Sequence, residues 1–138
     1  MIQLIIGEKG KGKTKVLLDK ANADVLTASG NVVYLDKSTK HMYELNNKVR
    51  LIDMSLYDIS NPDEFIGFLC GVVSQDHDLE MMFFDNFLSI ASCDADFEGV
   101  LEKIEKLSNK FKVKFVISMS KVESDLSDAW KNCIIAAL

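Results

Sequence analysis

Met1-Ile2-Gln3-Leu4-Ile5-Ile6-Gly7-Glu8-Lys9-Gly10-Lys11-Gly12-Lys13-Thr14 decides the architecture. Ile2 to Ile6 is a short continuous apolar run ended by Gly7, the pattern of a strand buried on both faces. Good helix formers follow from Lys13 to about Ala28, with Gly30 as the expected helix C-terminal glycine. A strand that feeds a helix through a glycine-rich turn is half of a βαβ unit, and the rest of the chain keeps alternating. Residues 31–36, 49–53, 79–85 and 113–118 read as further strands. The tail Cys133-Ile134-Ile135-Ala136-Ala137-Leu138 fits either a continued helix or a last strand. The expected fold is a three-layer α/β domain over residues 1–138. Its parallel sheet has five strands, or six if the tail adds one, with right-handed crossovers and helices on both faces.

Between the strands the helix signals are local. Asn61-Pro62-Asp63-Glu64 combines an N-cap, a proline in the first turn and two acids at the positive end of the dipole. That helix runs to about Gln75, with Phe65, Phe68, Leu69, Val72 and Val73 on one face. Gly67 and Gly71 share another side, where close packing is expected, on the sheet rather than on another subunit. Asp94 is the expected cap of a helix carrying Phe97, Val100, Leu101, Ile104, Leu107 and Phe111 at helical spacing. Residues 124–130 read as helical.

Bulk properties remove several function classes. The 138 residues are 48% hydrophobic and 27% charged, ordinary for a globular chain. A net charge of −5 argues against a sequence-independent grip on nucleic acid. No apolar run is long enough for a membrane span, and the N-terminus reads as a strand rather than a signal peptide. Cys70, Cys93 and Cys133 stand far apart beside only two histidines, His41 and His77, so no zinc or iron–sulfur spacing exists. Buried free thiols in a reducing cytoplasm are expected.

The opening loop carries the chemistry. Gly7, Gly12, Lys13 and Thr14 fill every fixed position of Gly-x-x-x-x-Gly-Lys-[Ser/Thr], placed after a strand and before a helix. Backbone N–H groups at a helix N-terminus, reinforced by its dipole, form an anion site. Residues Gly7, Glu8, Lys9, Gly10, Lys11, Gly12, Lys13, Thr14 and Lys15 are thus expected around a polyphosphate, with Lys13 on the β/γ oxygens and the Thr14 hydroxyl on Mg²⁺. The expected ligand is ATP or GTP with Mg²⁺. Met81-Met82-Phe83-Phe84-Asp85 supplies a second metal-side group, a carboxylate, since an acid at a strand's C-terminal end lies beside the phosphates.

These motifs resemble the P-loop NTPase superfamily, and the size resembles small stand-alone bacterial P-loop proteins sometimes labelled twitching-motility ATPases. The strands at 31–36 and 49–53, between the loop and Asp85, resemble the branch in which an extra strand separates the Walker A and Walker B strands. In that branch a catalytic Glu commonly follows the Walker B Asp; here Asn86 stands there and cannot take a proton from water. The resemblance implies Asp36 as a substitute base, against its simpler reading as the cap of a turn. It also implies Ser118 as the residue that senses the γ-phosphate. Asp53 and Ser120 fall at the same sheet edge.

Absences separate the functional readings. The lone arginine, Arg50, begins a strand and so lies at the edge away from the nucleotide, which argues against an arginine finger. Asn109-Lys110-Phe111-Lys112 lacks the Asp of a guanine-reading motif and precedes its strand, which favours ATP. The leading expectation is an ATP-binding protein with slow or partner-dependent hydrolysis, acting as a switch or an assembling subunit. A small-molecule kinase using residues 37–48, with His41, Tyr43 and Glu44, is the second reading. A non-catalytic interaction domain is the third.

Overall fold

The computed structural model describes residues 1–138. Six parallel strands form one sheet: β1 (Ile2–Ile6), β2 (Asn31–Asp36), β3 (Val49–Asp53), β4 (Leu79–Phe84), β5 (Lys114–Met119) and β6 (Ile134–Ala137), in the order β3-β2-β4-β5-β1-β6. Helices α1 (Lys13–Asp24), α2 (Pro62–Gln75), α3 (Phe87–Ile90), α4 (Phe97–Phe111) and α5 (Asp128–Lys131) connect them. The expected three-layer α/β architecture is present, and the tail is a strand: β6 pairs with β1, so the sheet has six strands. β5 lies between β1 and β4, the extra-strand arrangement that the spacing of the motifs resembles.

Strand alternation divides the core. Ile2, Leu4, Ile6, Val33, Leu35, Met82, Phe84, Phe115 and Ile117 point to the face covered by α2, α3, α4 and α5, within a cluster of 25 buried residues. Phe84 is the hub there, packing against Phe65, Phe87 and Phe115 at centroid distances of 5.3, 6.1 and 5.5 Å. The other face is smaller. Ile5, Val32, Tyr34, Met81, Phe83 and Val116 pack under α1 through Leu17, Leu18 and Ala21, in a cluster of 12.

Several local expectations need correction. α1 stops at Asp24, and Gly30 is not its cap. Gly30 leads into β2 with its N–H on Glu80 Oε1 (2.9 Å), and a Cβ there would lie 2.2 Å from the Asp78 carbonyl oxygen. The cap of α4 is Asp96, which accepts from the Gly99 amide (3.3 Å); Asp94 only opens the 3₁₀ turn before it. Residues 124–130 are a 3₁₀ turn (Glu123–Asp125) and the short α5, not one helix. Gly67 and Gly71 face solvent with open space around them, so nothing within the chain packs closely against them. Cys93 is buried and Cys133 partly so, but Cys70 is exposed. The Asn61 cap of α2 stands as expected, accepting from the Glu64 amide at 2.9 Å.

Candidate functional site

Period-two alternation builds a polar rim at the C-terminal ends of the strands. Tyr34 and Asp36 share a face of β2. Ser118 has the same parity as Val116 in β5, and Asp85, just beyond β4, the same parity as Phe83. Both parities belong to the α1 face, and Tyr34, Asp85 and Ser118 form one hydrogen-bonded group that reaches the first turn of α1 at Thr14. Ligands of open α/β sheets bind at this rim.

The loop between β1 and α1 is shaped by its glycines. Gly12, the residue before α1, is left-handed (φ 95°), a conformation that costs an L side chain about 1–2 kcal/mol. No atom lies within 4 Å of where a Cβ on Gly10 or Gly12 would be, so the loop backbone borders open space. Gly7 is required for a different reason: a Cβ there would sit 2.8 Å from the Leu138 carbonyl oxygen. The Gly7 amide bonds to the Lys121 carbonyl (2.9 Å), and the Leu138 amide to Ile6 (2.9 Å), so flanking chain holds the loop's base.

A cleft of about 200 Å³ opens over this loop, lined by Lys9, Gly10, Gly12, Lys13, Thr14, Asp85, Asn86, Ser118 and Ser120, with no apolar residue. The Lys13 ammonium folds back onto the Glu8 carbonyl oxygen at 2.9 Å. Partial burial holds its pKa below the ordinary lysine value, while the Asp85 charge pulls the other way. Asp85 itself is buried and surrounded by hydroxyls. Thr14 donates to its Oδ1 (3.1 Å), Tyr34 donates to its Oδ2 (3.0 Å), and the Ser118 hydroxyl lies 3.3 Å from Oδ1. Ser118 also accepts from the Asn86 amide at 3.0 Å. These contacts join α1, β2, β4 and β5 through one carboxylate.

The remaining sequence candidates fall outside the cleft wall. Glu8 and Lys11 are exposed on the loop. Lys15 pairs with Asp19 (3.1 Å) and borders a second groove of about 520 Å³ with Thr14, Leu18, Asn22, His41 and Glu44. Asp36 is buried and does not line the cleft. Its Oδ1 accepts from the Lys37 amide (2.7 Å) while its buried Oδ2 has no partner. Burial chiefly, and the Asp85 charge secondarily, raise its pKa above the ordinary aspartate value. Asp53, opposite Asp36 in the β2–β3 register, caps the turn at Ser55.

Tyr34 escaped sequence reasoning, because a tyrosine inside an apolar strand reads as core. The available signal was that its hydroxyl, at a fully buried position two residues before the strand end, needs a partner. Asn86 acquires a backbone reason for its identity: it is left-handed (φ 57°), a conformation asparagine tolerates better than most residues.

No protein-family model and no curated protein matches this chain. Among solved structures, it is similar to the flagellar accessory protein FlaH from Methanocaldococcus jannaschii, at 13% identity and a TM-score of 0.57. The match covers 93% of this chain but only 63% of that one, so this chain spans less than two-thirds of its length. The likeness is one of fold, a three-layer α/β core with a parallel sheet. No helix is long and apolar enough to cross a membrane.

Proposed function

We propose that this chain binds a nucleoside triphosphate, ATP in preference to GTP, with Mg²⁺ at the cleft over Gly7–Thr14, and hydrolyses it slowly or only with a partner. The observation that carries this reading is the meeting of the loop, the Lys13 ammonium, the Thr14 hydroxyl and the Asp85 carboxylate around one wholly polar cleft. Amides of the loop and of the first turn of α1 suit phosphate oxygens, and Lys13 exchanges the Glu8 carbonyl for them.

The oxygens of Thr14 and Asp85 are hard donors, which fits Mg²⁺. A bound ion would neutralise charge on the β and γ oxygens. No cluster of three or more His, Cys, Asp or Glu side chains stands nearby, so phosphate and water would complete the ion's shell. Asn86 offers no base, and Asp36 is not among the residues that line the cleft. Both argue for slow turnover by the chain alone, with a second copy or another protein completing the site. The test is calorimetric titration with Mg²⁺ and a non-hydrolysable ATP analogue. Wild type saturates and Lys13→Ala does not; equal affinity for the two proteins refutes the reading.

A second reading is a small-molecule kinase. The groove bordered by His41, Glu44 and Asn22 meets the phosphate cleft at Thr14, and His41 Nδ1 lies 2.8 Å from Glu44 Oε2, a pair suited to accept a hydroxyl proton. ATP-dependent phosphorylation of any member of a panel of nucleosides and sugars supports it; no product across the panel counts against it.

A further inference from the structure

Tyr34 is completely buried on the α1 face of β2, with its ring stacked on Phe83 at a centroid distance of 6.2 Å and an interplanar angle of 16°. Phenylalanine would satisfy that packing. The hydroxyl is the part that needs an explanation, because burying it unpaired costs free energy. Its partner is Asp85 Oδ2 at 3.0 Å. The other two hydroxyls, from Thr14 and Ser118, both face Oδ1. The two oxygens of one carboxylate are therefore claimed by different donors.

We propose that Tyr34 is a positioning residue for the metal-side carboxylate: its hydroxyl pins Asp85 Oδ2 and so turns Oδ1 toward Thr14, where the cation of the nucleotide complex is bound. This rests on the nucleotide reading above and adds a residue that does not line the cleft. The physical argument is rotational. A carboxylate turns about its Cβ–Cγ bond unless both oxygens are held, and the terminal torsion of Asp is broad. Thr14 stands at the start of α1, beside the loop that takes up the ligand, and its own hydroxyl is needed for the cation, so it is a poor anchor for a group that must be ready before the ligand arrives. Tyr34 belongs to an interior strand paired on both sides, Tyr34 opposite Phe83 in β4 and Leu51 in β3. The anchor thus comes from the rigid sheet. Partners of this kind, one bond removed from a metal ligand, commonly change metal affinity by about 10–100-fold when removed.

The experiment compares wild type with Tyr34→Phe, which keeps the ring and deletes the hydroxyl. Binding of a non-hydrolysable ATP analogue is followed by calorimetry while Mg²⁺ is titrated, and again in EDTA. The expected result is a rise of about tenfold in the Mg²⁺ concentration giving half-maximal enhancement, with unchanged analogue affinity in EDTA. A purely structural hydroxyl would lower the melting temperature and leave the Mg²⁺ requirement at its wild-type value, which would overturn the proposal. Should Tyr34→Phe fail to fold, wild type carrying ¹³Cζ-labelled tyrosine gives the second measurement. Adding Mg²⁺ to the analogue complex is expected to move the Tyr34 resonance but not those of exposed Tyr43 and Tyr57. A Tyr34 resonance indifferent to Mg²⁺ rejects the role. Wild type that binds no analogue, or binds it without regard to Mg²⁺, instead brings down the underlying nucleotide reading, and that outcome is visible before any variant is made.

Discussion

The Thr14 hydroxyl donates to Asp85 Oδ1 at 3.1 Å, tying the first turn of α1 to the end of β4 across 71 positions of chain. Because Tyr34 and Ser118 converge on the same carboxylate, Asp85 is a structural centre as well as a candidate metal-side group. Asp85→Ala should leave buried hydroxyls without their acceptor and lower stability by about 1–3 kcal/mol. Urea unfolding measures that loss. In the same variant, nucleotide binding should no longer respond to Mg²⁺. A variant as stable as wild type would show that the hydroxyls find other partners.

Asp36 gives a pH test whose sign can be worked out. Its pKa in the folded protein is raised, first by burial and second by Asp85, so folding disfavours its ionised form. The penalty is absent below the unfolded pKa of about 3.9 and fully present above the folded pKa. Asp36→Asn should therefore stabilise the protein at pH 7 and lose that advantage as the pH falls toward 3. Urea midpoints at the two pH values decide it; an equal difference at both would mean that ionisation of Asp36 is not the cause.

Two glycines should respond in opposite directions to alanine. At Gly7, φ is 152° and the new Cβ would press on the Leu138 carbonyl oxygen, so Gly7→Ala should cost about 2 kcal/mol. Gly67 lies inside α2 with open space around it, so Gly67→Ala should stabilise by about 0.5–1 kcal/mol. Thermal denaturation of both variants checks the pair. A destabilised Gly67→Ala protein would reveal a packing partner for that face of α2.

At Asn86 the backbone is the constraint. Gly should be accepted there, while Glu, the residue expected of a faster hydrolase, should lose about 1 kcal/mol on entering the left-handed region. Turnover by Asn86→Glu then measures whether a base alone restores hydrolysis. An unchanged rate in a folded Asn86→Glu protein would place the missing component elsewhere.

The parts of the fold legible in the sequence were those set by short-range rules. β1 to β5 announce themselves as apolar runs closed by polar residues, and the Gly12-Lys13-Thr14 turn by chemistry that tolerates few substitutes. The Asn61 cap of α2 was equally plain, because cap and proline act within one turn. What stayed hidden depended on distant neighbours. Ile134 to Ala137 have no helix or strand pattern of their own, and pairing with β1 decides them. Gly30 has the chemistry of a helix cap, but α1 ends at Asp24, and it is the nearby Asp78 carbonyl that requires glycine there. Asp94 and Asp96 are two residues apart with similar chemistry, and only geometry at Gly99 chooses between them. Within the candidate site, the cleft residues were legible as a motif. Tyr34 was not, because its function as a donor exists only where β2 and β4 finish side by side.

The unequal halves of the core have an energetic consequence. The cleft is built on the side where α1 is the one α-helix over the sheet, in a cluster of 12 buried residues, while 25 lie on the other side. Local opening costs least where the least apolar surface is at stake. Amide protons of α1 should therefore exchange with deuterium sooner than those of α4. A polyphosphate gripping the start of α1 would slow them selectively, since binding energy adds to the cost of every opening that releases the ligand. Occupancy of the cleft would thus be written into the rigidity of one helix.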